Sequence, residues 1–431
     1  MVPVSHQQPA ARHPRLPVPW PEPGRLVGVD VARALAVFGM FAVHLGVTSL
    51  GALDGPVAET AHELMRGRSS ALFAFLAGVS LSLLSGRQTP LHGEPLHRVR
   101  VKILVRAALL AVIGVFADLL DTSVAIILVY YAGYFLLALP LLRLGAAALA
   151  AVAAGVALLG PQLSFLLRAA LGDPGSPPAS ITGVGDFLLN GYYPACTFMA
   201  FVVAGMAVGR LDLRSTAVRG ALAGVGAVLV LLGQGLSWLL LYPLGAVDRI
   251  AAVFVPAYFG TAAGSVSPEG WAVLRVAAEE EIASRHGTVP TDTPAWLLVA
   301  SPHSGTTFEI VGAVGAALLV LVACLVAADL LRWGVYPLAA AGSMALTCYV
   351  GHLVVLAALG DPTGDAPPWM WEIFVTGALL FAAVWRARRG RGPLERLLGS
   401  AADLAVRGSG PRPSDGPPSP GAAPTEPSDP Q

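Results

Sequence analysis

The sequence predicts an all-α fold, a polytopic membrane bundle of about ten transmembrane helices with both termini in the cytoplasm. The 431 residues are 55% hydrophobic and only 13% charged, with a mean hydropathy of +0.68. A soluble domain carries about 25% charged residues, so lipid must cover much of this protein's exterior. Apolar runs also follow each other along the chain, and most basic residues fall on one side of them. The expected location is therefore the cytoplasmic membrane of the cell, with several passes.

A transmembrane helix needs about 17–25 residues, and the apolar runs approach this length. Several runs are shorter and would need flanking residues to span the membrane. Glycine, proline and charged residues separate them, as at Gly160-Pro161 and Asp361-Pro362. The predicted spans are, in chain order, Leu26–Ser49, Ser69–Leu84, Ile103–Leu120, Val124–Leu142, Ala146–Gly160, Tyr193–Val208, Ala221–Leu241, Phe308–Ala328, Leu338–Leu359 and Ile373–Trp385. Gly205 and Gly209 form a small-xxx-small pattern, which is typical of close helix packing.

The distribution of basic residues gives the orientation. With the N-terminus inside, twenty of the 27 Lys and Arg residues lie on the cytoplasmic side, six lie outside and Arg33 lies within the first span. The apolar stretch Ile250–Gly264 is short and Pro256 interrupts it, so we predict a re-entrant or interfacial segment. Disordered cytoplasmic tails are predicted over 1–24 and 401–431. The bundle occupies 25–400, with external loops near 161–192 and 242–306.

The second external loop contains one predicted helix of its own. Ser267 is a suitable N-cap, and Pro268 fits the first helical position. Apolar residues then repeat at helical spacing until Gly287. These features predict a short amphipathic helix at the outer surface.

The first predicted span carries three ionisable side chains, Asp30, Arg33 and His44. At 100° per residue they fall within an arc of about 60°, so they share one helix face. Fourteen residues separate Asp30 from His44, about 21 Å along the axis. Ionisable groups in a membrane usually face the bundle interior or an aqueous cavity. An ion pair of Asp30 with Arg33 at the inner interface is the structural alternative, but a polar stripe of full length favours function.

Four histidines are predicted at the outer side of the bundle, where a neutral imidazole is a suitable proton acceptor near pH 7. One of them lies in the segment SPHSGTTFE, which also supplies a glutamate at the start of a predicted span. For each histidine alone, a structural hydrogen bond is the alternative. Their meeting in one vestibule would indicate catalysis, and the candidate catalytic residues are His44, His62, His303, Glu309 and His352.

A basic helix face enters the third predicted span, where Arg98, Lys102 and Arg106 recur every four residues. Such a face suits the phosphates of a nucleotide-like donor. The alternative is anchoring at the inner membrane surface by snorkelling side chains. Asp30 and Arg33 of the first span complete the set. The candidate cofactor-binding residues are therefore Asp30, Arg33, Arg98, Lys102 and Arg106.

Two classes of partner are not expected. The net charge is zero, which argues against a nucleic-acid-binding protein. Cys196, Cys324 and Cys348 lie inside apolar segments without CxxC spacing, so no metal site is expected.

Both ends of the chain resemble known families. LVGVDVARALAVFGMFAVHLG (Leu26–Gly46) and SSALFAFLAGVSLS (Ser69–Ser82) resemble the first two spans of heparan-alpha-glucosaminide N-acetyltransferase-like membrane proteins. GSMALTCYVGH (Gly342–His352) and RRGRGPLERLL (Arg388–Leu398) resemble signatures of the bacterial family called domain of unknown function 418. The two families are related and are grouped with transmembrane acyltransferases.

The resemblance implies a mechanism. A cytoplasmic acyl-CoA, expected to be acetyl-CoA, would donate its acyl group through the bundle to a hydroxyl or amine on the outer side. His62 best matches the family's catalytic histidine, and His44 occupies the position of an asparagine that assists it. Asp30 and Arg33 match the family's aspartate and arginine, whereas Ala34 replaces the usual glycine.

The acceptor would be a small molecule, a glycan or a lipid-linked molecule, and the bilayer itself is an expected partner. The sequence leaves a homo-oligomer open. A proton-coupled transporter or exporter of a small polar or lipid-like molecule is the alternative function, because carriers also use intramembrane Asp, Arg and His. A non-enzymatic scaffold would leave the polar stripe unexplained.

Overall fold

A computed structural model of the protein describes residues 24–45, 67–172, 181, 183–260, 266–285, 287–363, 366–367 and 369–408. Within these ranges all regular structure is helical, which confirms the all-α class. The helices are α1 (Val27–Leu45), α2 (Arg68–Leu84), α3 (Gly93–Asp118), α4 (Leu128–Ala138), α5 (Ala146–Leu171), α6 (Ala195–Gly209), α7 (Thr216–Val230), α8 (Leu236–Leu241), α9 (Val247–Ala251), α10 (Val255–Phe259), α11 (Pro268–Ser284), α12 (Thr307–Leu331), α13 (Tyr336–Ser343), α14 (Ala345–Ala358), α15 (Met370–Arg389) and α16 (Pro393–Gly408).

Among the described residues, five helices are long and apolar enough to cross a membrane: α1, α5, α7 with α8, α12 and α15. A sixth candidate forms if α13 and α14, which meet at an 81° bend, count as one broken span. Three more apolar helices are shorter, namely Arg68–Leu84, Leu128–Arg143 and Ala195–Gly209. A membrane helix bundle is therefore shown, while the total of ten spans and the cytoplasmic termini remain predictions.

Glycines bring α2 and α6 into close contact, as the small-xxx-small pattern predicts. A Cβ atom on Gly205 would lie 1.8 Å from the carbonyl oxygen of Phe75, and one on Gly78 would lie 1.9 Å from that of Val202. No side chain fits at these distances, so both positions require glycine. Small residues permit such backbone approach where lipid gives no hydrophobic drive for association.

The predicted break at Gly160-Pro161 is wrong, because α5 continues through Pro161 to Leu171. Proline lacks the N–H that would bond the carbonyl of Ala157, four residues earlier. The hydroxyl of Thr307, at the start of α12, donates to that carbonyl instead, over 2.9 Å. This contact from a neighbouring helix lets α5 continue, so residues 161–171 are helical and do not form a loop.

One arginine joins three helix ends at the side that is predicted to be cytoplasmic. Arg210 follows α6 and is 3% exposed. Its guanidinium donates to the carbonyls of Leu142, Leu144, Ser82, Ser85 and Arg87, over 2.6–3.3 Å. These carbonyls belong to the ends of α2 and of the segment after α4. Burial lowers the pKa of Arg210, but the five carbonyls and the Ser85 hydroxyl, which also accepts from it, stabilise the charged guanidinium.

The stretch predicted as re-entrant or interfacial belongs to a small separate hydrophobic core. Its described part folds as α9, a short 3₁₀ turn and α10, whose apolar residues pack against α11. The predicted N-cap of α11 is confirmed, since the Ser267 hydroxyl accepts a 3.1 Å hydrogen bond from the Gly270 amide. Leu274, Ala278 and Ile282 form the buried face of α11. This face covers neighbouring protein, which explains its apolar periodicity.

The C-terminal boundary of the bundle lies beyond the predicted one. Residues 401–408, predicted as part of a disordered tail, form the last two turns of α16. Ala402 is fully buried there, and Asp403 pairs with Lys102 at 2.7 Å. The contacts with α3 come from a distant part of the chain, so the composition of the tail gave no sign of them.

Candidate functional site

The carboxylate of Asp30 is held between two arginines near the start of α1. Asp30 is 3% exposed and accepts from Arg25 at 2.6 Å and from Arg33 at 2.7 Å. Gly342 of α13 packs against the backbone of Asp30. A Cβ atom on Gly342 would lie 1.7 Å from the backbone carbonyl oxygen of Asp30. Two cations and close packing leave this carboxylate little freedom. Asp30 therefore orients Arg33.

The remaining N–H groups of Arg33 face a cavity that is partly open to the outside of the bundle. Arg33 donates to the Ser80 hydroxyl at 2.6 Å, and that hydroxyl donates to the carbonyl of Leu76. The cavity has a volume of about 290 Å³. Its polar lining is formed by Arg33, Ser80, Arg106, Tyr131, Ser343 and Glu395, and aliphatic and aromatic side chains line the rest.

Helix α16 covers one side of this cavity with Glu395 and Leu398. The Glu395 carboxylate accepts from the Thr347 amide at 3.1 Å and from the Thr347 hydroxyl at 2.6 Å. These groups lie in the first turn of α14, just after the bend. A carboxylate at a helix N-terminus is favourable because free amide groups and the helix dipole point toward it. Glu395 thus fastens α16 to the broken helix.

The basic face of α3 is divided between different partners. Arg98 pairs with Glu94 at 3.0 Å on an exposed surface, and Lys102 pairs with Asp403 of α16. A hydrogen bond from Lys102 and its charge lower the pKa of the Asp403 carboxyl. Only Arg106 reaches the cavity lining, together with Arg33. The structure therefore does not present the three cations as one phosphate-binding face.

At the other end of α1, His44 meets His352 of α14. The His44 Nδ1 atom lies 3.0 Å from the His352 Nε2 atom, and the two rings are nearly parallel, at an angle of 10°, with centroids 5.2 Å apart. The His352 Nδ1 atom contacts the carbonyl of Tyr349, which is only an acceptor. Nδ1 of His352 must therefore carry hydrogen, and in the neutral ring its Nε2 then accepts from His44 Nδ1. This assignment leaves Nε2 of His44 unprotonated and available as a base.

The polar face of α1 forms two separate sites. Asp30 and His44 do not line the cavity at Arg33. Phe41 packs on His352 with centroids 4.4 Å apart, and Tyr349 packs on it at 5.1 Å. Tyr131 lines the cavity, whereas the ring of Tyr349 lies against His352. Neither histidine lines the cavity, so aromatic rings interrupt the polar stripe of α1.

Tyr131 carries a buried and unpaired hydroxyl group. It is 3% exposed, and none of the residues that the structure describes forms a hydrogen bond with its hydroxyl. A buried hydroxyl without a partner costs about 1–3 kcal/mol. Such a group is often retained for a functional reason.

His303 and Glu309 lie apart from the histidine pair. The ring of His303 packs between Tyr193 and Phe198, with centroids 5.6 and 6.3 Å away. Thr306 is the N-cap of α12, and its hydroxyl accepts from the Glu309 amide at 3.1 Å. A Thr-x-x-Glu sequence at this place has the pattern of a capping box, of which the structure shows the bond to the Thr306 hydroxyl. Glu309 is 5% exposed, and one of its carboxylate oxygens has no hydrogen-bond partner among the residues described in the structure.

The structure thus brings together only part of the predicted site. His44 and His352 are in contact, and Arg33 and Arg106 line one cavity, whereas His62 lies outside the described residues. Sequence reasoning missed Ser80, Tyr131 and Glu395. Only Glu395 had a local signal, because it follows Pro393 at the start of an amphipathic helix. Among the residues that the structure describes, no group of three or more His, Cys, Asp or Glu is placed to hold a metal ion.

Comparison with known families covers both halves of this site. The family model described as "Heparan-alpha-glucosaminide N-acetyltransferase, catalytic" matches residues 25–244, and "Protein of unknown function (DUF418)" matches residues 288–404. No curated protein matches the chain. The first match spans more than half of the sequence and includes Asp30, Arg33 and His44. The chain therefore belongs to the family of the heparan-alpha-glucosaminide N-acetyltransferase catalytic domain, a family of transmembrane acetyltransferases, and its C-terminal part matches the DUF418 family.

Proposed function

We propose that this protein is a transmembrane acyltransferase that transfers an acyl group, in the first place acetyl, from cytoplasmic acyl-CoA to an acceptor hydroxyl or amine at the outer side. The observation that carries the proposal is the pairing of a cationic cavity at one end of α1 with an oriented histidine pair at the other. Family membership supports the reaction class. Direction across the membrane follows from the predicted orientation, in which the Arg33 end faces the cytoplasm.

The cavity at Arg33 suits the acyl-pantetheine arm of the donor. Its volume of about 290 Å³ is at the lower end of small-molecule sites, which span about 300–1,000 Å³. The nucleotide of the donor would remain outside. Arg33 and Arg106 attract its phosphates, and guanidinium groups are well matched to phosphate oxygens. Phe73, Leu110 and Phe135 offer an apolar wall to the arm.

The histidine pair suits the acceptor half of the reaction. His44 Nε2 takes the proton of the acceptor hydroxyl or amine as its oxygen or nitrogen attacks the thioester carbonyl. A carbon–oxygen or carbon–nitrogen bond forms, the carbon–sulfur bond breaks, and the CoA thiolate takes up a proton. His352 holds the tautomer and ring plane of His44, as the orienting residue does in other catalytic pairs. His62 is retained as a further base on the strength of the family resemblance alone.

Transfer requires the acyl group to pass from the cavity, which Tyr131 lines, to the histidine pair, which Tyr349 contacts. The Tyr131 hydroxyl has no partner in the described structure, and a thioester carbonyl would provide an acceptor for it. We therefore place the reacting carbonyl between Tyr131 and the histidine pair.

The decisive experiment uses the full chain in phospholipid nanodiscs with radiolabelled acetyl-CoA. We expect saturable acetyl-CoA binding, and we expect release of CoA thiol when an acceptor mixture of sugars, amines and lipids is added. His44→Ala/His62→Ala, which removes both candidate bases, should abolish the labelled product. Protein that binds no acetyl-CoA, or that forms the same product after this double substitution, would contradict the proposal.

A transporter is the second candidate, and one feature favours it. Helices α13 and α14 are bent by 81° at Met344, and broken helices are common at the binding sites of secondary transporters. Proteoliposomes distinguish the two functions. Proton-dependent flux of an unmodified substrate indicates transport, whereas a covalently acylated product indicates transfer.

A further inference from the structure

A second cavity lies on the side of the bundle, and its lining differs from that of the cationic cavity. It is a groove of about 440 Å³ between α5, α6, α7 and α12. Every lining residue is apolar, and alanines form most of the α5 and α6 walls. Because these helices include three of the long apolar spans, the groove lies at membrane depth.

The length of the groove matches one leaflet. Its α5 wall runs from Ala146 to Ala157, which is about 16 Å of helix at 1.5 Å per residue. The hydrocarbon core of a bilayer is about 30 Å thick. A hydrocarbon chain entering at the Ala146 end would therefore fill the groove without crossing the whole membrane.

Two exposed cations flank that same end. Arg143 lies three residues before Ala146, and Arg214 lies three residues after Leu211, which also lines the groove. The Arg210 guanidinium fixes the two segments side by side through the carbonyls of Leu142 and Leu144. An apolar groove that ends between two arginines is complementary to a lipid with an apolar chain and an anionic headgroup.

We propose that this groove binds one acyl chain of an anionic phospholipid, with the lipid phosphate between Arg143 and Arg214. This site is separate from the cationic cavity, and the inference does not depend on acyl transfer. The main competing occupant is a second copy of the chain. All copies share one orientation in a membrane, so a symmetric dimer through this groove would bring four arginines together at one depth. Like charges at such a contact repel each other.

The first test fills the groove without touching buried positions. Ala150 and Ala154 are exposed and line the groove, whereas Ala148 and Ala151 are exposed on the same helix and do not. We compare Ala150→Leu/Ala154→Leu with the matched control Ala148→Leu/Ala151→Leu. After reconstitution in nanodiscs of phosphatidylglycerol and phosphatidylcholine and release into detergent, native mass spectrometry counts the lipids retained by each protein.

We expect wild type and the control to retain one phosphatidylglycerol and the groove variant to retain at least tenfold less. Equal retention by both variants would overturn the proposal. A dimer in the wild type that dissociates in the groove variant would assign the groove to a second copy and overturn it too. Thermal unfolding of each variant shows whether a loss of lipid merely reflects misfolding.

The second test addresses the headgroup. Arg143→Gln/Arg214→Gln should lower the preference for phosphatidylglycerol over phosphatidylcholine by up to about 30-fold, since a basic residue at an anionic surface contributes about 1 kcal/mol. Arg332→Gln/Arg407→Gln makes the same change in charge at exposed positions elsewhere. A preference that falls equally in both variants would show a general charge effect and would contradict the assigned site.

Discussion

His44 and His352 share a 3.0 Å hydrogen bond between positions 308 residues apart. His44 lies in the segment that matches the acetyltransferase catalytic domain, and His352 lies in the segment that matches the family of unknown function. The cationic cavity is shared in the same way, with Arg33 from the first segment and Glu395 from the second. Neither segment alone contains the whole candidate site.

The first prediction concerns the histidine pair. His44→Ala should lower kcat for acyl transfer by about 10²–10⁴-fold, the usual contribution of a general base. His352→Phe should lower kcat less, because it removes only the group that orients His44. Acetyl-CoA binding should not change in either variant, since the histidines lie outside the cavity. Isothermal titration calorimetry and thiol release measure the two quantities separately.

The matched control for that pair is His92→Ala, at an exposed position before α3. Unchanged kcat in both His44→Ala and His352→Phe would remove the pair from the mechanism. A loss of acetyl-CoA binding in His44→Ala would show that the two sites are one.

The second prediction concerns Arg33. Arg33→Lys keeps the charge but cannot bridge Asp30 and Ser80 with one planar group. We expect the Kd for acetyl-CoA to rise about tenfold or more, because a hydrogen bond to a charged group contributes about 1.5–3 kcal/mol. Arg98→Lys, at an exposed site paired with Glu94, should leave Kd unchanged. If both variants bind equally well, Arg33 has no role in holding the donor.

The third prediction compares two carboxylates on α16. Glu395→Gln should increase hydrogen exchange throughout α16, because Glu395 is partly buried and accepts two hydrogen bonds from Thr347. Asp403→Asn should have a small effect, since exposed ion pairs contribute little. Hydrogen exchange measured by mass spectrometry would refute this ranking if Asp403→Asn loosened α16 more.

The pH dependence of the Asp403 contact follows from its lowered pKa. A carboxyl whose pKa is lowered by folding stabilises the fold above its unfolded value of about 3.9. That contribution is lost as pH falls through the lower folded value. We therefore compare the exchange rates of residues 401–408 in the wild type and in Asp403→Asn at the same pH. The ratio of the wild-type rate to the variant rate should be constant from neutral pH down to about pH 4 and should rise below it.

The fourth prediction concerns Arg210. Arg210→Met should lower the Tm, because it removes the donor that the carbonyls of Leu142 and Leu144 share, and a buried unsatisfied group costs about 1–3 kcal/mol. Arg332→Met, at an exposed position, serves as the control. Thermal unfolding in one detergent measures both. A similar Tm for the two variants would mean that water replaces the guanidinium at no cost.

The sequence contains the local features of this fold. Apolar runs locate the long helices, Ser267 marks the start of α11, and Gly205 indicates close packing. The features that cannot be predicted from the sequence depend on contacts between residues far apart in the chain. Composition predicts a tail at 401, yet Lys102, 301 residues before its partner Asp403, contributes to holding the last turns of α16. The same holds for the site, since no local pattern separates Arg106, which lines the cavity, from Lys102, which pairs with Asp403 of α16.

The contact between Thr307 and Ala157 has a consequence for biogenesis. A ribosome adds about 5–20 residues per second, so the hydroxyl arrives roughly 8–30 s after the carbonyl, 150 residues earlier in the chain. Until then, the turn around Pro161 has an open acceptor inside or near lipid, where an unpaired polar group costs several kcal/mol. The N-terminal half therefore carries an acceptor that stays without its hydroxyl donor until the C-terminal half is made.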